Sequence, residues 1–316
     1  MRKKVFITGG AGFIGANFVK YLLDKGGVDI TVYDNLSACS GANLTAAIED
    51  SARKGKVKLV EGDILDTTEL YKSIKGHNAV VHLAAHTQVV ESLKDPKENF
   101  EINATGTLNI LEAARANKIK RFVFASSNAA VGEQIPPINE RMVPAPLSPY
   151  GATKLHGEAL CSAYFHSYDM ETISLRFANA YGLYSKHKTS VVAKFLKKSK
   201  KAQKLEIYGD GKQTRDFIHA RDIAQAIFLS LKTYNNNRKN SVFGGVFQIA
   251  TGEETRITDL AKMVNALKGK ERGNVKFSPP RKGEIRKNFS DISKAKRLLK
   301  FCPSITLEEG ISELFA

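Results

Sequence analysis

The segment TGGAGFIG, residues 8–15, restricts the fold more than any other stretch of the chain. It follows the apolar run VFIT (5–8), leads into the helix-like NFVKYLL, and places Gly9, Gly12 and Gly15 at G-x-x-G-x-x-G. A strand turning sharply into a helix takes glycine at the turn. A second glycine lets backbone approach a pyrophosphate, and a third lets helix and strand pack closely. The helix start then presents free amides and the positive dipole end to phosphate. Glycines also serve plain tight turns, but here strand, helix and next strand occur in the order a dinucleotide site requires. That next strand, DITVYD (29–34), ends in Asp34. Its carboxylate is placed to accept from ribose hydroxyls and to repel a 2′-phosphate, which predicts NAD rather than NADP. A simple turn role is the alternative for Asp34.

The alternation continues. Apolar runs VKLVEGD (57–63), AVVHLAA (79–85), RFVFASS (121–127) and TISLRFANAYG (172–182) are separated by stretches such as TELYKSI and NILEAARAN, with apolar residues three and four apart. Strands without polar alternation indicate a parallel sheet covered on both faces. The expected fold is therefore α/β, a doubly wound parallel (Rossmann) sheet, over residues 1–182. From about residue 183 the elements shorten, and YGDG, ATGEE and PPRKGE mark turns. This predicts a smaller α/β lobe over 183–316, interleaved with the first and returning some segments to it. Two long helices are expected at about 97–116 and 150–168.

Composition narrows the function. The three cysteines, Cys39, Cys161 and Cys302, are too scattered for a disulfide framework or a zinc site, so no metal is expected. No apolar run approaches the roughly 20 residues of a membrane span. The start, MRKKVFITGG, lacks the apolar region of a secretory signal, which suggests a cytoplasmic protein without a membrane partner. The net charge of +16 raises nucleic acid as a partner, and KFLKKSKKAQK (194–204) concentrates lysines. Val191, Val192, Phe195 and Leu196 recur at helical spacing there, so the lysines read as the solvated face of an amphipathic helix. A basic surface also favours an anionic small-molecule substrate, and nucleic acid is not the expected partner.

The fifth apolar run ends in Ser126 and Ser127, at the edge where open α/β sheets bind ligands. Downstream, SPYGATK (148–154) holds Tyr150 and Lys154 on one helix face. A free phenol, with a pKa of about 10, is a poor base at neutral pH. A nearby ammonium would stabilise the phenolate. Ser127 and Tyr150 could then hold one substrate hydroxyl between them, with the phenolate taking its proton as hydride leaves carbon. Y-x-x-x-K alone is common, but the three residues on a dinucleotide fold are specific. Asp63, at the tip of the third run, reads as an adenine contact or a helix cap. Ala84 and Ala85 after the fourth read as a close approach to cofactor or as packing.

Taken together, TGGAGFIG, YDNLS, HLAA, NATGTLNILEAA, FASS, SPYGATK, LRFANAYG, YGDGKQTRDFIHARDIA and RKGEIRKNFSDISKAKRLL fall in one order along nearly the whole chain. In this the sequence resembles the extended short-chain dehydrogenase/reductase family, specifically its nucleotide-sugar epimerases and dehydratases. The resemblance implies an NAD held through Gly9, Gly12, Phe13, Ile14, Gly15, Asp34, Asn35, Asp63, Ile64, Leu83, Ala84, Ala85 and Asn103. It implies Ser127 at the active-site Ser/Thr position, Tyr150 as base, and Lys154 on the nicotinamide ribose. For the sugar nucleotide it implies Thr87, Asn179, Arg215, Arg281, Glu284 and Asn288, besides Ser127. An arginine fork suits a diphosphate. The alternative for Arg215 is an ion pair with Asp216 or Asp222, and for Arg281 a solvated side chain.

Dehydratases of this family carry an Asp-Glu pair where this chain has Asn128-Ala129, so dehydration is not expected. A 4-epimerase needs no further acid. The expectation is a UDP-hexose 4-epimerase acting on UDP-glucose and UDP-galactose, with the acetamido pair left open by Asn288. Family epimerases carry a tyrosine where Val131 stands. Alternatives are a decarboxylase or keto-sugar reductase on the same scaffold and, from another class, a non-catalytic NAD sensor or nucleic-acid binder. By analogy with related dimers, a homodimer is expected.

Overall fold

The computed structural model describes residues 3–53, 55–185, 188–233, 242–267, 275–280 and 285–315. The N-terminal elements run β1 (Lys3–Thr8), α1 (Phe13–Lys25), β2 (Val28–Asp34), α2 (Ala42–Glu49), β3 (Val57–Glu61), α3 (Thr67–Ser73) and β4 (Ala79–His82). They continue through α4 (Val89–Lys94), α5 (Pro96–Phe100), α6 (Gly106–Ala116), β5 (Arg121–Ser127), α7 (Pro149–Tyr168), β6 (Glu171–Phe177) and β7 (Asn179–Tyr181). Then come α8 (Val191–Lys200), β8 (Leu205–Tyr208), β9 (Thr214–Arg215), β10 (Phe217–His219), α9 (Ala220–Lys232) and β11 (Gly245–Ile249). The described chain closes with β12 (Thr255–Arg256), α10 (Ile257–Ala266), β13 (Val275–Ser278), α11 (Ser293–Leu299) and α12 (Leu307–Phe315).

Seven strands form one sheet in the order β11-β6-β5-β4-β1-β2-β3, with every pair parallel. The order reverses between β1 and β4, which opens a crevice at their carboxyl ends. Phe18, Leu22, Leu44, Ile223, Ile227 and Leu299 bring α1, α2, α9 and α11 onto one face of the sheet. Leu70, Ile110, Leu111, Cys161 and Tyr164 bring α3, α6 and α7 onto the other. This is the doubly wound α/β sheet the apolar runs predict. The all-buried β4 shows why its sequence lacks polar alternation.

Three elements differ from the sequence reading. The run 172–182 divides, because the Ala178 amide still bonds to Ile249 of β11 while the Asn179 amide has passed to Asp216. β7 therefore leaves the sheet and pairs with β10. The helix expected over 97–116 widens by one π turn at Glu101–Thr105, joining α5 to α6. Finally, β3 ends at Glu61, so Gly62 and Asp63 lie in the following loop. Around the smaller core, α8 buries Val192, Phe195 and Leu196 against Leu205, Ile207 and Phe217, leaving Lys194, Lys197 and Lys200 exposed. Among the described residues no helix is long and apolar enough to cross a membrane.

Candidate active site

The glycine turn is built by exclusion. Gly9 has φ +68° and donates its amide to Tyr33 at 3.0 Å, and a Cβ on it would lie 2.5 Å from the Ala84 nitrogen. Only glycine combines that backbone conformation with so close a neighbour. A Cβ on Gly15 would lie 2.3 Å from the Gly9 carbonyl oxygen, so the third glycine packs the helix start against the turn rather than against the strand expected from sequence. Gly12 starts α1 without a side-chain cap, and the first turn, beginning at Phe13 and Ile14, holds no acidic residue. By contrast α3, α5 and α7 are capped by Asp66, Asp95 and Ser148. The uncapped amides of α1 suit an anion.

Asp34 fills the turn role in this structure. Its carboxylate accepts from the Ala11 amide at 3.0 Å and the Leu36 amide at 2.9 Å, so it ties the glycine turn to the end of β2. Burial pushes its pKa up while those two N–H groups pull it down. Asn35 donates to Asp63 at 2.9 Å, and Asp63 also accepts from the Leu65 amide. The cap of α3 is Asp66 rather than Asp63. Ile64 is buried against Gly106. Leu83 and Ala84 bond back to Thr8, and Ala85 continues that half-buried loop. Asn103, carried on the π turn, spends its amide on the His86 backbone and on Thr153. It therefore shapes the loop beside the crevice. The excluded Cβ at Gly9, the open helix start and Asp34 together fit a dinucleotide.

Tyr150 and Lys154 project from α7 toward the end of β5. Ser148 caps that helix through the Gly151 amide, and Pro149 occupies its first turn. Ser127 stands beside the Tyr150 hydroxyl, and its Oγ accepts from the Ala129 amide at 3.1 Å. Lys154 is 4% exposed and donates to the Ala125 carbonyl at 2.9 Å. Its ammonium sits 5.9 Å from the Tyr150 ring centroid. Burial dominates here: it raises the Tyr150 pKa, against the pull of Ser127, and lowers that of Lys154 to about 7. Sequence reasoning counted the ammonium and missed the desolvation.

Arg215 and Asn179, expected to meet the sugar nucleotide, lie beside Asp216. That buried carboxylate accepts from Thr251, Gly252 and Ser290, while Asp222 accepts from Ser304 and Ile305. Neither is spent on Arg215, which donates to the carbonyls of Thr214 and Ile285. Asn179 donates its amide to the Asp216 carbonyl at 3.1 Å. Ser290 also receives the Asn128 amide at 3.0 Å, so the 285–290 segment joins this corner to the end of β5. Asn128 Oδ1 and Asn288 Oδ1 are buried without a partner among the described residues. Thr87 is exposed and accepts from Lys188 at 3.4 Å. Arg281 and Glu284 lie outside the described residues.

Two buried networks went unread in the sequence. The Ala84 amide donates to Thr8 Oγ1, whose hydroxyl donates to His82 Nδ1 at 2.7 Å. His82 Nε2 donates to Thr107 at 3.0 Å, and Thr107 donates onward to the Asn103 carbonyl. This one-way chain fixes a neutral tautomer. The second network joins Ser126, Glu158 and Arg176 beneath the catalytic strand end. Glu158 stands one turn beyond Lys154 and two beyond Tyr150 on the same helix face, and that spacing was its available signal.

A doubly wound sheet with a glycine turn, Asp34 and a Ser–Tyr–Lys set at its carboxyl edge defines a dinucleotide-dependent enzyme of the extended short-chain dehydrogenase/reductase type. The profile of the NAD dependent epimerase/dehydratase family matches residues 5–250. The UDP-glucose 4-epimerase of Thermotoga maritima, solved with UDP-glucose, superposes with a TM-score of 0.87 at 32% identity, covering 98% of this chain and 96% of that one. The UDP-N-acetylglucosamine 4-epimerase of Methanobrevibacter ruminantium, solved with UDP-N-acetylmuramic acid, gives 0.88 at 31% identity over the same shares. The UDP-glucuronic acid 4-epimerase of Bacillus cereus, solved with UDP-glucuronic acid and NAD, gives 0.87 at 30% identity, again over 98% and 96%. This chain belongs to the NAD-dependent epimerase/dehydratase family, whose enzymes act on nucleotide sugars with NAD as cofactor.

Proposed function

We propose that this enzyme interconverts the C4 epimers of a UDP-hexose, UDP-glucose and UDP-galactose first, with the acetamido pair as a variant. The observation that carries the reading is the Ser127–Tyr150–Lys154 set beside Asn128-Ala129. Proton chemistry at a carbinol is provided for, and the acid–base pair for eliminating water is missing. Bound NAD supplies a hydride acceptor and donor at the sugar carbon. Ser127 orients the O4 hydroxyl, Tyr150 Oη removes its proton and later returns it, and Lys154 stabilises the phenolate. Arg215 and Asn179, with Arg281 and Glu284, hold the nucleotide while the 4-keto sugar turns over. Amide oxygens at Asn128 and Asn288 seek hydrogen donors, which sugar hydroxyls and acetamido N–H groups offer and a carboxylate does not.

Incubation with UDP-galactose should yield UDP-glucose without net NADH, and heat-denatured protein should release NAD. Inactivity on both the plain and acetamido pairs would overturn the epimerase reading, and CO₂ release from UDP-glucuronate would replace it with decarboxylation. The reading includes a homodimer pairing the α5–α6 stretch with α7, where Phe100, Leu108 and Tyr168 stand exposed. A monomeric mass in light scattering at working concentration would remove that part.

A further inference from the structure

The buried carboxylate of Glu158 calls for an explanation beyond stability. Glu158 and Arg176 have side chains only 4% and 3% exposed, and Arg176 donates twice to the carboxylate, at 2.8 and 2.7 Å. Ser126 donates to the same carboxylate. Such a buried pair gains little net stability over apolar packing, because both ions lose their hydration. The location differs from a random core site. Ser126 lies between Ala125, whose carbonyl holds the Lys154 ammonium, and Ser127, which stands beside Tyr150. Tyr150, Lys154 and Glu158 line one face of α7 at successive turns.

We propose that Glu158 is a positioning residue that keeps Lys154 protonated, and through it keeps Tyr150 available as phenolate at neutral pH. Ser126 and Arg176 hold the carboxylate in place. The groups facing this region are few. From α7 come Tyr150 and Cys161, whose thiol burial pushes up to about 12. From β4 comes His82, held neutral with its pKa pushed down to about 3. From β6 comes Arg176, with Lys294 beyond it. Among the described groups, Glu158 is the anion that opposes the desolvation of Lys154. Without it the lysine tends to neutrality, and the tyrosine loses the charge that stabilises its ionised form.

The inference rests on Tyr150 being the base but not on which sugar is used, so the test needs no sugar. Tyrosinate absorbance of NAD-loaded protein is titrated against a Tyr150→Phe reference, which isolates the Tyr150 transition. Glu158→Gln, nearly the same shape, should move that transition up by about one pH unit. Glu158→Asp should recover part of the shift, and NAD content should stay within about twofold of the parent. An unmoved transition in Glu158→Gln overturns the proposal. So does a loss of NAD and thermal stability with no change in the titration, which would make Glu158 merely structural. Should Glu158→Gln not fold, Glu158→Gln/Arg176→Gln removes both charges, and a smaller upward shift is expected. No shift there overturns the proposal equally. A wild-type protein with no Tyr150 transition across the neutral range would instead remove Tyr150 as base.

Discussion

The proposed cofactor and sugar sides of the crevice are finished to different degrees. Around Gly9, Asp34, Thr8 and His82 the polar groups form closed circuits in which named donors meet named acceptors. Around β5, β6, β11 and the 285–290 segment, Asn128 Oδ1, Asn288 Oδ1, Arg176 NH1 and the Gln248 amide are buried without partners among the described residues. A buried polar atom left unpaired costs about 1–3 kcal/mol. Fixed circuits suit one invariant ligand. Unpaired atoms suit a ligand that completes them.

The largest effect should fall at the junction of the two sides. Tyr150→Phe should lower turnover by about 10³-fold, the size of a general-base contribution, while released NAD, measured after denaturation, stays at parental levels. Joint loss of NAD and turnover would mean the sides are not separable. Next, Gly9→Ala should strike the cofactor side alone. Left-handed strain of about 1–3 kcal/mol, added to the clash with Ala84, should leave the purified protein largely free of NAD by the same assay.

These first two outcomes were legible in sequence for a physical reason. A turn that excludes Cβ forces the residue type, so Gly9 and Gly15 announce themselves, and Tyr150, Lys154 and Ser127 stand at spacings set by helix and sheet geometry. What sequence could not give depended on burial and on partners distant in the chain. The depressed pKa of Lys154 needs the packed core. The handover at Ala178 from β11 to β10 leaves no mark on periodicity. The partners of Asp216, which removed the ion-pair alternative for Arg215, come from residues 251, 252 and 290. Asp63 and Asp66 look alike as letters, and only geometry shows which caps α3.

Smaller effects sharpen the contrast further. Asp34→Asn should weaken NAD by about tenfold, the worth of a charge-assisted hydrogen bond, and improve binding of NADP, both read by calorimetry. Unchanged preference would move the source of selectivity elsewhere. On the sugar side, Asn128→Ala should raise the KM for the nucleotide sugar by about fivefold, one neutral hydrogen bond, with NAD affinity untouched. A separate effect concerns acid stability. His82 is held near 3, below its ordinary 6.5, so the unfolded chain takes the proton first. Its contribution is complete above pH 6.5 and is lost as pH falls toward 3. His82→Gln should flatten that part of the denaturation curve, and an unchanged slope would assign the acid sensitivity to other groups.

The position of β11 has a consequence for how the protein is made. Residues 245–249 add the outermost strand of the sheet, against residues 173–177 of β6. During synthesis the other six strands, β1 to β6, leave the ribosome well before β11. Until it arrives, β6 is an open strand edge able to pair with another nascent chain. The long connection through β7–β10 and α8–α9 delays closure of the edge that carries Arg176. Ribosome-bound intermediates truncated before residue 245 should therefore be the species in which holdase chaperones are most needed.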